Sequence, residues 1–206
     1  MSHADRERFL RLILENPVNA ALLERLPRVA LPDWYLVSGC LFQTVWNHLS
    51  GNSPTHGILD YDVFYCDRSD LTWEAEDAAI SRCGAATAGL DSEVQVRNQA
   101  RVHLWYPQKH GVPYAPLYST RDGIDTFLNQ SSCFGVRSES DARFNVYAPF
   151  GFADVFAMVV RPNPRIDRSE VYYEKAARWR KVWPDLTVLP WPGDDPGETD
   201  LGCNVA

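Results

Sequence analysis

The run Leu59-Asp60-Tyr61-Asp62-Val63-Phe64-Tyr65 sets two carboxylates one residue apart among aromatic and β-branched neighbours. On a strand, alternate residues face the same side, so Asp60 and Asp62 point together, about 7 Å apart along the chain, and can converge on shared divalent cations. Two cations roughly 4 Å apart stabilise both the attacking and the leaving oxygen at phosphorus. The pair therefore points to metal-assisted transfer of a phosphorus-bearing group. Upstream, Ser38 and Gly39 form a small turn before an amphipathic stretch. Such a turn lets backbone approach phosphates closely, and the helix that follows offers them unpaired N–H groups.

These residues need particular elements to hold them. Trp34 to Val37 is an apolar run too short for a helix and rich in strand formers, and it ends at Ser38-Gly39. From Gly39, the residues Leu41, Phe42, Val45, Trp46 and Leu49 fall on one helical face, with Gln43, Thr44, Asn47 and His48 on the other. The loop Ser50 to Gly57 leads to the acidic strand, and a helix over about 73–83 follows, with Thr72 as its cap. Residues Val94 to Tyr106 then alternate for unusually long. Glu93, Gln95, Arg97, Gln99, Arg101 and His103 share one parity and Val94, Val96, Ala100, Val102 and Leu104 the other, broken only by Asn98. That pattern predicts one long strand whose polar face lines a cleft or meets solvent.

Two scaffold helices precede this region, over about 5–15 and 18–26. Beyond it the patterns predict a short helix over 120–128, strands at 133–136 and 144–147, a helix over 153–160 and a last amphipathic helix over 169–183. The last helix carries Lys175, Arg178, Arg180 and Lys181, a basic face of the kind usual on a solvated helix.

The 206 residues, 45% of them hydrophobic, suffice for one sizeable core. We expect a single domain over 1–184 and a Pro/Gly/Asp-rich tail over 185–206, loosely ordered or laid over the surface. The formal charge of −7 is concentrated at that end: five carboxylates and no cation follow Lys181, and without them the body is nearly neutral. A neutral body lacks the footprint of a general nucleic-acid binder. No apolar run reaches membrane-spanning length and the N-terminus is charged, so a cytoplasmic protein with no membrane partner is expected. The five scattered cysteines contain no CxxC pair and read as free thiols.

The order of strand, Ser-Gly turn, helix, loop and acidic strand is the minimal order of the nucleotidyltransferase superfamily related to DNA polymerase β. The blocks SGCLFQTVWNHLSG, HGILDYDVFYCD, EAED, VRNQARVHLWY, APLYSTRDGIDTF and FGFADVFAMVVRPN together resemble a largely uncharacterised bacterial family of nucleotidyltransferase-like proteins, from about Trp34 to Asn163. The resemblance implies an α+β nucleotidyltransferase fold, a mixed β-sheet flanked by helices. It also implies that Ser38 and Gly39 contact phosphates and that Asp60 and Asp62 bind Mg2+ or Mn2+. The expected substrate is a nucleoside triphosphate, and the acceptor hydroxyl belongs to a small molecule, an RNA or a protein. The superfamily's third acid aligns with Gln95, which orients a hydroxyl but takes no proton, while Glu93 shares its parity and is the substitute. Cys40 stands where the superfamily has a second small residue.

Arg97 and Arg101, on the polar parity, are candidates to neutralise phosphate charge or to pair with nearby acids, and His103 is a remoter candidate for a base. Asn98 is expected to hydrogen-bond within the core, and the tryptophans to pack rather than stack on a ligand. Two functional readings follow: a metal-dependent nucleotidyltransferase, or a nucleotide-binding or sensing module on the same fold with turnover weakened at Gln95. A third, in which the acids are structural and a partner surface carries function, remains beside them.

Overall fold

The computed structural model describes residues 2–139 and 143–194. Helix α1, His3–Ile13, buries Phe9, Leu10, Leu12 and Ile13. Asn16 starts α2, Pro17–Arg25: its side-chain oxygen accepts the Val18 and Asn19 N–H groups and Pro17 occupies the first turn. The Asn16 amide nitrogen meanwhile reaches Thr44 Oγ1 at 3.1 Å, Tyr61 Oη at 3.2 Å and the Pro54 carbonyl at 3.3 Å. One buried amide thus joins a helix start to the elements that carry the candidate residues.

Strand β1, Tyr35–Val37, is fully buried and feeds helix α3, Gly39–Leu49. Strand β2, Asp60–Tyr65, pairs antiparallel with β1, and helix α4, Trp73–Ala86, crosses over to β3, Glu93–Asn98, which runs parallel to β2. Helices α5, Val102–His110, and α6, Thr120–Ile124, lead to the hairpin of β4, Gly135–Ser138, and β5, Phe144–Tyr147. Strand β4 pairs antiparallel with β1, giving a mixed sheet in the order β3-β2-β1-β4-β5. Helix α7, Ala153–Phe156, strand β6, Val159–Val160, helix α8, Ser169–Val182, and strand β7, Thr187–Val188, complete the described chain.

One sheet face carries Leu36, Tyr61, Val63, Val96 and Val136 into the main core with α1, α2, α3 and α8. Trp46, Trp179 and Trp183 meet there edge-to-face, and Trp183 Nε1 donates to Asn47 Oδ1 at 2.8 Å. The expected polar side of α3 is largely interior: Gln43, Thr44 and Asn47 are buried, and His48 is exposed. Asn47 explains why, since its amide donates to the Pro54 and His56 carbonyls and holds the loop that precedes β2.

The long strand expected over Val94–Tyr106 ends at Asn98. The Asn98 side chain accepts the Asp67 N–H at 3.0 Å, donates to the Asp67 carbonyl at 2.9 Å and accepts the Ala100 N–H at 3.1 Å. Its own N–H donates to Glu76 at 2.8 Å. These local bonds replace the next rung of the ladder, a 3-10 turn follows over Gln99–Arg101, and α5 begins. Arg101 and His103 therefore leave the sheet face. Arg101 turns to α4, where it pairs with the buried Glu76 and donates to the Leu71 carbonyl.

The helix expected over 153–160 also ends early, at Phe156; Met158 takes a positive φ of 54° and the β-branched Val159 and Val160 pair with β7. Within the described part of the expected tail, 185–194, Leu186 and Trp191 are buried and the Trp191 N–H donates to Tyr173 Oη, while Asp185, Thr187 and 192–194 are exposed. The rest of that segment, with Cys203, lies outside the described residues. Cys40, Cys66, Cys83 and Cys133 are free and buried. Among the described residues no helix is long and apolar enough to cross a membrane.

Because Glu76 is 3% exposed and Arg101 is its cation, Arg101→Ala should strand a buried carboxylate and cost about 3 kcal/mol or more. Chemical denaturation checks this; an unchanged midpoint would show the pair to be solvated.

Candidate active site

Along β2, Tyr61, Val63 and Tyr65 point into the core, which turns Asp60, Asp62 and Phe64 to the opposite face. The register sets their neighbours. Asp60 lies beside Glu93, Asp62 beside Gln95 and Phe64 beside Arg97, while Val37 of β1 faces Asp62 from the other side. Asp60, Asp62, Glu93 and Gln95 are thus brought together, as their parity requires. Gln95 Nε2 donates to Glu93 Oε1 at 2.8 Å and reaches Asp60 Oδ2 at 3.4 Å. The amide at the third-acid position bridges two carboxylates.

Ser38 and Gly39 stand next to this group, since β1 leaves the sheet just beyond its Val37–Asp62 pairing. Ser38 holds φ 58° and ψ −122°, a conformation that favours glycine. The backbone over-determines it: the Ser38 N–H donates to Phe134 O at 3.1 Å and its carbonyl accepts Leu41 N at 3.0 Å and Phe42 N at 3.3 Å. Strain of this kind, of order 1–3 kcal/mol, is concentrated where a chain must aim groups at a ligand. The Ser38 hydroxyl caps nothing in its own helix. At Gly39 an added Cβ would lie 3.2 Å from Gln43 Nε2, so the turn is kept lean by the buried glutamine behind it.

The acids crowd one another. Burial and then the Asp60 charge push the Asp62 carboxyl up to about 7, against the pull of Lys175 and Arg97. Burial and the same two acids raise the Cys40 thiol well above its ordinary value, so Cys40 stays a protonated packing group. An accumulation of hard carboxylate oxygens at a desolvated spot fits a divalent cation, which would remove the repulsion. Among the described residues no three His, Cys, Asp or Glu side chains close around one point. The residues present would supply two carboxylates and leave further positions to phosphate oxygens and water, as Mg2+ sites in phosphoryl-transfer proteins do.

Lys175 belongs here although its spacing suggested an exposed basic helix face. Helix α8 brings it within electrostatic reach of Asp62 and Asp60; surrounding protein, then Arg178, lowers its ammonium against their pull. With Arg97 and Arg168 it lines a cavity of about 320 Å3 between α5 and α8, walled by Tyr106, Tyr114 and Phe127. No lining residue is acidic, and among the described residues none of the three cations makes an ion pair. Burial and then Arg168 lower the His110 imidazole at the same cavity. Arg101 does not join this group, and His103 sits in the first turn of α5 with Nδ1 buried and unpartnered among the described residues.

A mixed sheet with a strand-to-helix turn at Ser38-Gly39 and an acid pair on the neighbouring strand defines a nucleotidyltransferase architecture. A family model described as Nucleotidyltransferase matches residues 24–188, and the chain belongs to that family. A solved NMR structure, described as revealing a CCA-adding enzyme head domain, superposes with a TM-score of 0.73 at 24% identity, over 90% of this chain and 96% of that one. No curated protein matches the chain.

The Asp62 shift has a consequence for stability. A carboxyl at about 7 when folded and 3.8 when free holds its proton more tightly in the native state. Its contribution is present below the lower value and is lost as pH rises through the higher one. Asp62→Asn should therefore melt higher than the parent at pH 8, with a flatter stability profile between pH 4 and 7. Parallel thermal melts across that range check it; a lower melting temperature at pH 8 contradicts it.

Proposed function

We propose that this chain moves a nucleotidyl group from a nucleoside triphosphate to an acceptor hydroxyl, releasing pyrophosphate, with Mg2+ or Mn2+ held at Asp60 and Asp62. The observation that carries the reading is the shared face of the two carboxylates beside the strained Ser38-Gly39 turn, in a chain of the nucleotidyltransferase family. The cation would supply Lewis-acid stabilisation of the charge that develops on phosphorus oxygens. The chain's own groups do the positioning. The start of α3 receives phosphate oxygens through its N–H groups and helix dipole, helped by the uncommitted Ser38 hydroxyl. Arg97 and Lys175, which pull on Asp62, balance phosphate charge at the acids' other side.

Proton removal from the acceptor falls to a carboxylate. Gln95 cannot accept a proton, whereas Glu93 lies in register with Asp60 and is held by the Gln95 amide. Glu93 is accordingly our choice for the base, with Gln95 as the group that orients it. The same amide supports a second reading. Its donation toward Asp60 ties up oxygen that an active centre would keep available, and a binding or sensing module would tolerate that. The acceptor is a small molecule, an RNA or a protein. The similar head-domain structure makes RNA one acceptor to include in assays.

Incubation with labelled triphosphates, Mg2+ or Mn2+ and cell extract separates the readings: label transferred to any acceptor requires turnover, and nucleotide-induced stabilisation without transfer supports the module. Asp60→Asn combined with Asp62→Asn should abolish Mg2+-dependent triphosphate binding while leaving the fold intact by circular dichroism. Unchanged binding in that folded double variant would sink the assignment.

A further inference from the structure

The acid pair sits at one end of a polar track whose other end is unassigned. Along β2 the face passes from Asp60 and Asp62 to Phe64, and beside it β3 passes from Glu93 and Gln95 to Arg97. The helix start at Gly39 lies at the Asp60 end, because Val37 is already opposite Asp62. A triphosphate tail drawn toward α3 therefore leaves the rest of the nucleotide to extend the opposite way, over Phe64 and Arg97. That direction leads into the cavity between α5 and α8, which Phe64, Arg97 and Lys175 line.

The cavity has the makings of a nucleoside site. Its volume of about 320 Å3 falls within the range of small-molecule pockets, which are mostly apolar with a few placed polar groups. Tyr106 lies 4.4 Å, centroid to centroid, from both Tyr114 and His110, and Phe64 stacks on Phe127 at 5.5 Å. These rings provide apolar faces on opposite chain segments. No carboxylate lines the same space, which opposes a cationic ligand, and Arg97 and Lys175, which also act on Asp62, suit the phosphate end of a nucleotide rather than its neutral nucleoside.

Gln99 adds a more specific mark. It is 3% exposed, follows Arg97 by two residues and lines the cavity. Its side-chain amide makes no hydrogen bond among the described residues. Gly123 holds it in place: an added Cβ there would lie 2.3 Å from Gln99 Oε1. An amide that opens to a cavity without a protein partner is free to meet a ligand there, and it both donates and accepts, as the edge of a base requires.

We propose that this cavity is the nucleoside subsite, with the base held among Tyr106, Tyr114 and Val171 and its edge read by Gln99. The assignment rests on the triphosphate reading above for its ligand but on different residues for its geometry. Gln95, Arg97 and Gln99 then follow in the order acids, phosphate charge and base edge along one short stretch of chain.

The test compares Mg2+-dependent binding of the four common triphosphates with binding of inorganic triphosphate, which has no base. The full chain should bind at least one nucleotide about 10-fold or more tightly than inorganic triphosphate, the scale of a base–aromatic stack. Val171→Trp, which fills the cavity, and Tyr106→Ala, which removes its wall, should each erase that preference and leave inorganic triphosphate binding unchanged. Gln99→Leu, close in shape, should narrow the spread among the four bases. Melting curves establish that each variant folds, and either of the first two alone suffices. Equal affinity for nucleotide and inorganic triphosphate, or a preference kept in the folded cavity variants, overturns the subsite. An unchanged spread in Gln99→Leu overturns the role of that residue. Inorganic triphosphate binding that survives loss of both aspartates breaks the metal reading while the cavity result stands, so the two failures are distinct.

Discussion

Repulsion among carboxylates is the constraint around which this molecule is arranged. Asp60 and Asp62 share a face of a strand whose alternate residues are sealed in the core, so neither can turn away without exposing Tyr61 or Val63. Glu93 adds a third acid from the adjoining strand. The surrounding groups respond to that charge. Gln95 donates its amide into the cluster, Lys175 and Arg97 approach from the side of the cavity, and Asp62 takes up a proton more readily than a free carboxyl. A binding site for a cation with a polyphosphate would exploit that stress, and a purely structural pair would gain nothing from it.

The scaffold makes the cluster rigid. Asn16, Thr44, Asn47 and Tyr61 lie within one buried hydrogen-bonded patch that fixes α3 against the loop entering β2. Trp183, from the far end of the chain, closes it through Asn47. The orientation of the acids relative to the Ser38-Gly39 turn therefore depends on contacts drawn from the first helices and the last.

Much of this was legible in the residues themselves. The acidic strand, the helix opening at Gly39 and the crossover helix follow from period and capping, and each formed close to its expected bounds. Alternation alone overextends β3, because polar and apolar residues keep alternating through Gln99, Ala100, Arg101 and Val102 although the backbone has left the sheet. Asn98, the one break in that pattern, was the cue: a side chain able to satisfy neighbouring backbone groups stops the ladder there. Local sequence carries no such cue for Lys175 or Arg168. Their segment looks like any basic amphipathic helix and its cap, and only tertiary packing brings Lys175 within reach of the acids and sets both residues on the cavity. Gln99 was hidden for a related reason, since its significance lies in the partners it lacks.

In the proposed site a metal-bound triphosphate spans the acid pair and the start of α3. Crystals grown with Mn2+ and a nonhydrolysable nucleoside triphosphate test it most directly through the anomalous signal of the metal. The account predicts manganese coordinated by Asp60 and Asp62 together with phosphate oxygens, and phosphates within hydrogen-bond distance of Ser38 and Gly39. Nucleotide bound elsewhere, or manganese bound without either aspartate, would contradict it.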